Sequence, residues 1–171
     1  SKQLLDLDSY VSKYHWQDKI LGWALDAGRV NGKLYSLPGS YETMLIYYNK
    51  TLFNQKGWKA PTNRTELEGL AEEAMGNGII PFMAGSADWR PATEWFVTVF
   101  FNHYAGPSAV YQALTGKLAW TDPVFVDAIT LMNSYFQKGW FGGGVKQYFT
   151  NKFDPQDAAF AKGKAAMDME G

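Results

Sequence analysis

The 171-residue chain contains no cysteine and only two histidines. The first absence excludes thiol catalysis, Cys-ligated zinc and a disulfide framework, while leaving the redox compartment open. The second leaves little for a metal site: His15 and His103 are far apart in sequence, and neither has a carboxylate at the HExxH spacing. Each reads most simply as a surface or partly buried side chain. Charge of one sign is missing too. Sixteen Lys and Arg stand against seventeen Asp and Glu, for a net charge of −1 with no basic stripe, which argues against a nucleic-acid partner. No run approaches the ~18–20 apolar residues of a membrane-spanning helix. Nor does Ser1-Lys2-Gln3-Leu4-Leu5-Asp6 have the basic stretch and apolar core of a signal peptide. Either the protein is cytoplasmic, or the chain is a mature or truncated product. No GxSxG elbow or kinase-like set occurs. Gly142-Gly143-Gly144 lacks the Lys-Ser/Thr of a phosphate loop and reads as a flexible connection.

Aromatic residues are what the chain has in quantity: seven Trp, ten Tyr and eleven Phe. Such a composition marks a globular chain rather than a disordered one. The length suits one domain, or one domain and a piece of another, and is enough to bury a core without metal or disulfide staples.

Local signals alternate strands with helices, which implies an α/β fold. Leu4, Leu7, Val11 and Tyr14 place helical pieces in the first 25 residues. Asn31-Gly32 is a hairpin-turn pair, because both residues tolerate the positive φ of a type I′ turn. Residues 43–48 (Thr-Met-Leu-Ile-Tyr-Tyr) are apolar on both faces, which predicts a buried central strand. A short helix from about Lys50 to Lys56 stops at Gly57. Thr62 is the predicted N-cap of an amphipathic helix ending near Gly76–Gly78, and residues 79–83 form a short strand whose Pro81 makes it an edge or a strand start. Pro91 and Pro123 suit first helical positions, the latter behind an Asp122 N-cap. Val126, Ile129 and Phe136 predict the buried face of that helix. Asp154-Pro155 opens a last helix before a final strand over residues 164–169.

Among the aromatics, Trp95, Trp120 and Trp140 read as packing, whereas Trp89 lies in the polar loop Gly85-Ser86-Ala87-Asp88-Trp89-Arg90 between a strand and a helix. Loops at the carboxyl ends of strands are where open α/β sheets bind ligands. An indole beside a carboxylate and a guanidinium suits a sugar, with the ring facing C–H groups and the charges bonding hydroxyls. Packing is the competing reading of Trp89.

Taken in order, these segments resemble a known family. Gly32-Lys33-Leu34-Tyr35-Ser36-Leu37-Pro38, then Tyr41-Glu42 and Ile46-Tyr47-Tyr48-Asn49-Lys50, are similar to the opening signature of family 1 extracellular solute-binding proteins, the sugar-capturing subunits of ABC importers. Trp58–Pro61 with Glu66-Leu67, Trp120–Val126 and Ala159–Met167 resemble three further segments of that family, although Asn63 stands near its usual Trp.

The resemblance implies an α/β periplasmic-binding-protein-like (type II) lobe: residues 1–38 as a remnant of the first lobe with its hinge-crossing strand, and 39–171 as most of the second. It implies a fragment that lacks the signal peptide, the lipidation cysteine and a sugar-stacking Trp beyond Gly171. The implied function is carbohydrate capture, non-catalytic and without cofactor or metal, for an ABC permease in the membrane, outside the cytoplasm in the periplasm or anchored at the cell surface. The implied ligand residues are Tyr41, Glu42, Gly85, Asp88, Trp89, Arg90 and Glu170. For Glu42 the competing reading is a strand-end carboxylate paired with Lys33 or Lys50, and for Arg90 a structural salt bridge. Two other classes stay open. A glycosidase needs two carboxylates ~5–10 Å apart, with Glu42 and Asp88 or Glu94 as the tempting pairs. A lobe without a ligand, serving interaction alone, would expose an apolar patch.

Overall fold

A computed structural model describes residues 3–88 and 91–170, with the side chains of 91–95 outside the description. The chain divides into two compact units, Ser1–Thr43 and Met44–Gly171.

The first unit is built on helix α1 (Asp8–Tyr14), a 3₁₀ turn over Trp16–Asp18, helix α2 (Gly22–Asp26), and the hairpin of β1 (Arg29–Val30) and β2 (Lys33–Leu34). Asn31 and Gly32 hold φ of 51° and 78°, as the Asn-Gly turn requires. Ion pairs tie the hairpin to the amino-terminal segment. Arg29 Nη1 lies 2.8 Å from Asp8 Oδ1, and Lys33 Nζ lies 2.7 Å from Asp6 Oδ2. The Lys33 hydrogen bond lowers the Asp6 carboxyl pKa and the same bond raises that of the Lys33 ammonium. Leu34 and Leu25 supply the buried apolar contacts.

The second unit runs β3 (Leu45–Tyr48), α3 (Lys50–Lys56), α4 (Arg64–Gly76), β4 (Ile80–Phe82), α5 (Pro91–Phe100), a π-helical turn over Phe101–Ala105, α6 (Pro107–Leu114), α7 (Pro123–Gln137), α8 (Val145–Tyr148), α9 (Phe153–Ala161) and β5 (Ala165–Glu170). Its sheet has the order β3-β5-β4, with β5 antiparallel to β3 and parallel to β4. The core gathers Phe53, Phe82, Phe96, Tyr135, Trp140, Phe141 and Tyr148 around the buried strand β5. Trp140 and Phe96 thus belong to the packing. Trp120 stacks on Phe101 with ring centroids 5.7 Å apart, yet remains nearly half exposed.

The local stop and start signals act as read. Gly57 ends α3 with φ 71°, Asp122 caps α7 by accepting from Val124 N–H, and Pro123 follows as its first residue. Three readings are corrected. The N-cap of α4 is Asn63, whose side chain accepts from Glu66 N–H, and Thr62 instead donates its N–H and hydroxyl to the Glu66 carboxylate. In α7 the fully buried residues are Phe125, Ala128 and Tyr135; of the expected face Phe136 packs against the core, 4.8 Å from the Phe141 ring, while Val126 and Ile129 are exposed. That helix is apolar nearly all round, so spacing alone could not choose its inner face. β3 is an edge strand exposed along its length, not a buried central one. Its apolar character on both faces was read correctly, but its four side chains stay 42–51% exposed, even with the Tyr48 ring packed on Phe53 at 4.7 Å.

Candidate functional site

Because β4 and β5 run parallel with Phe82 opposite Met167, their carboxyl ends emerge at the same edge of the sheet. That edge brings the loop after β4, which contains Gly85 and Asp88, close to the end of β5, which carries Asp168 and Glu170. It is the edge at which open α/β sheets characteristically bind ligands.

The loop is pinned along its length. Ser86 N–H donates to Tyr148 O at 2.9 Å, and Ala87 N–H donates to Asn151 O at 3.0 Å. The Asn151 side-chain amide donates in turn to Gly142 O at 2.8 Å and Ala84 O at 3.3 Å, tying two loops together. Asp88 Oδ1 accepts from Phe153 N–H at 2.9 Å, so a residue distant in sequence satisfies the first turn of α9. Glycine is required at 85 for reasons of space: a Cβ there would lie 2.5 Å from Asn151 O. Gly142, with φ +58°, meets the same constraint, its Cβ falling 2.2 Å from Ala84 O. A loop held this way presents its side chains from a fixed frame, as binding requires.

On β5 the side chains alternate between faces. Met167 and Met169 turn to one side, and Asp168 and Glu170 to the other. Asp168 is 4% exposed. Burial raises its carboxyl to a pKa of about 7, assisted by the charge of Glu170 and a hydrogen bond with it, and by the more distant Asp157; the Met169 backbone N–H opposes the rise. Near neutrality this side chain can donate as well as accept a hydrogen bond, which matches the two-way bonding of a hydroxyl. Asp168 also lines a small cleft of about 10 Å³ with Gly85, Met83 and Phe153.

Of the residues singled out from sequence, the structure gathers Gly85, Asp88 and Glu170 at this edge. Tyr41 and Glu42 belong to the first unit. Tyr41 packs edge-on to Trp23 with centroids 5.2 Å apart, and Glu42 is exposed while Lys33, one of its expected partners, pairs with Asp6. Trp89 and Arg90 lie outside the described residues. Sequence reading missed Asp168 and Asn151. A lone carboxylate within the apolar run Ala165-Ala166-Met167-Asp168-Met169 was an available signal for the first; Asn151, in an ordinary polar loop, gave none. Among the described residues no three His, Cys, Asp or Glu converge as a metal ion would need, and no helix is long and apolar enough to cross a membrane.

Comparison with known proteins agrees with this architecture. A structure of a "Chitin oligosaccharide binding protein" superposes with a TM-score of 0.82 and 28% identity, covering 98% of this chain and 41% of its own. One from work on xylan utilization by the thermophilic bacterium Caldanaerobius polysaccharolyticus gives 0.80 and 29%, over 98% and 42%. A "Probable sugar-binding periplasmic protein" of Brucella suis is 29% identical across 97% of this chain and 38% of its own length. The chain therefore spans less than half the length of the relatives it matches. The fold is the α/β lobe of type II periplasmic binding proteins. All of residues 1–171 match the family described as bacterial extracellular solute-binding protein, and the chain belongs to that family.

Proposed function

We propose that the chain is part of the carbohydrate-capturing subunit of an ABC importer, that it works outside the cytoplasm (periplasmic or anchored at the cell surface), and that it transforms nothing. In this reading residues 1–38 are the remnant of one lobe with its hinge-crossing strand, and residues 39–171 are most of the other lobe. The whole protein closes its two lobes on an oligosaccharide, to which this chain contributes Tyr41, Glu42, Gly85, Asp88, Trp89, Arg90 and Glu170, and the loaded protein docks on a membrane permease. The observation that carries the reading is the pinned Gly85–Asp88 loop beside the Asp168 and Glu170 carboxyls, at the carboxyl edge of parallel strands. The sugar-related names of the relatives point the same way.

A clamp of this kind needs aromatic rings for C–H faces, carboxyls for hydroxyls, and rigid backbone to hold them; it needs no nucleophile. Titration calorimetry of the longest polypeptide its gene encodes, against chito-, xylo- and malto-oligosaccharides, tests the proposal. One of these is expected to bind, and Trp89→Ala is expected to weaken it by roughly 1–3 kcal/mol, the scale of a well-placed aromatic contact. Absence of binding to all three, or affinity unmoved by both Trp89→Ala and Glu170→Gln, would overturn the assignment.

A further inference from the structure

A buried carboxyl lies next to the one proposed to meet the ligand. Asp168 and Glu170 are two residues apart on β5 and therefore share a face of the strand. Strand β3 fixes both backbones in register, with Tyr47 opposite Asp168 and Leu45 opposite Glu170. Burial divides the pair. Asp168 is 4% exposed, whereas Glu170 closes the strand at its carboxyl end and stays partly accessible. The void beside Asp168, about 10 Å³ between Gly85, Phe96 and Phe153, has room for about one water and none for a sugar ring. Asp168 therefore does not touch a ligand of that size. Its outlet toward one is the Glu170 carboxyl, with which it shares a hydrogen bond.

A hydrogen bond between two carboxyls needs one proton, and the surroundings decide which of them keeps it. From α9 the negative charge of Asp157 adds to that of Glu170 in raising the Asp168 pKa to about 7. From β3 comes Tyr47, and from the loop after β4 comes Asp88, whose Oδ1 is taken by the Phe153 N–H. Asp154 lies in the first turn of α9, Lys152 and Lys162 stand at its two ends, and Lys164 just precedes β5. The described neighbour from α5 is Phe96. Desolvation is the largest influence, and it favours the neutral form at the buried position. The proton thus sits on Asp168, and Glu170 accepts from it.

We propose that Asp168 is a positioning residue for the ligand site: its proton holds the Glu170 carboxylate in one orientation, as an acceptor for ligand hydroxyls, and oligosaccharide affinity falls when that proton is lost. The proposal rests on the reading of Glu170 as a ligand contact. Once both carboxyls are ionised, like charges share one face of the strand, and repulsion turns the accessible partner, Glu170, away. A ligand that needs Glu170 in place draws the proton back, so binding and protonation are linked. A tenfold loss of affinity across the titration corresponds to a ligand that raises the Asp168 pKa by about one unit.

Titration calorimetry of the longest polypeptide the gene encodes, with chitotriose, xylotriose and maltotriose, at about pH 6 and about pH 8.5, tests this. The sugar that binds is expected to lose roughly five- to tenfold in affinity at the higher pH. Near pH 7.5, in two buffers of different ionisation enthalpy, its binding is expected to take up about half a proton. Asp168→Asn keeps a donor for Glu170 at every pH, so it should bind equally well at both values. Asp168→Ala removes the donor and should bind weakly at both. Proton uptake is read on the unaltered protein and decides the question even where a variant folds poorly. Equal affinity at the two pH values without proton uptake overturns the positioning role and leaves the carbohydrate assignment standing. A pH step that persists in Asp168→Asn does the same, because another group then titrates. If none of the three sugars binds at either pH, the carbohydrate assignment fails and the positioning role falls with it.

Discussion

Asp168 brings a carboxyl into an otherwise apolar strand, and the surroundings decide how it behaves. Its pKa rises from an ordinary 3.8 to about 7, chiefly because burial disfavours the charged form. Between pH 4 and 7 the folded state therefore holds a proton that the unfolded state has released. Stability through this group is greatest at acid pH and falls as pH rises through 7. Asp168→Asn should accordingly raise stability at pH 8 by about 2–4 kcal/mol and leave it unchanged near pH 4, which urea unfolding at the two pH values measures. Asp88 is tested differently. Removing the acceptor of the Phe153 N–H should cost about 1 kcal/mol, so Asp88→Ala lowers the urea midpoint even with no sugar present. A full loss of oligosaccharide affinity without that loss of stability would show that Asp88 serves the ligand alone.

Among the elements, α4 illustrates how one residue's position redistributes roles. Asn63 occupies the N-cap with extended backbone, and Glu66, three residues on, turns back to Thr62 rather than to the cap residue itself. Hydrogen bonds from the Thr62 N–H and hydroxyl hold the Glu66 carboxyl pKa below its ordinary value. Asn63→Ala should therefore destabilise the second unit by about 1 kcal/mol in denaturant unfolding, and Thr62→Ala by less, because Thr62 N–H remains bonded. Threonine and asparagine are both good caps, and the sequence offers them side by side; which one enters the cap is set by where the backbone turns. Helix α7 and strand β3 pose the same question at larger size. Each has apolar residues on opposite faces, so hydrophobic pattern identifies the element and leaves its inner face undecided until neighbours are in place.

At the scale of the whole molecule, the family accounts for the ordering of segments, and the proposed clamp accounts for the pinned loop. A clamp divided between two lobes grips weakly when part of its wall is absent. In that reading the 171-residue chain alone binds oligosaccharide no tighter than about millimolar, equivalent to roughly 4 kcal/mol. Calorimetric binding of micromolar strength or better by this chain would contradict the division of the site between lobes.

Local geometry was legible from the residues alone: the Asn31-Gly32 turn, the stop at Gly57, the Asp122-Pro123 start, the alternation of strand and helix, and the ordered segments that carry the family resemblance. These depend on backbone preferences that act over a few residues, and so they survive in any tertiary setting. Long-range packing, by contrast, is what makes Asn151 tie loops together through bonds to Ala84 and Gly142, Asp88 satisfy a helix start 65 positions away, Asp168 sit buried near a second carboxyl, and β3 lie at the edge of its sheet. Those outcomes depend on desolvation and hydrogen bonds between segments remote along the chain. Their energies exist only once packing has brought the groups together.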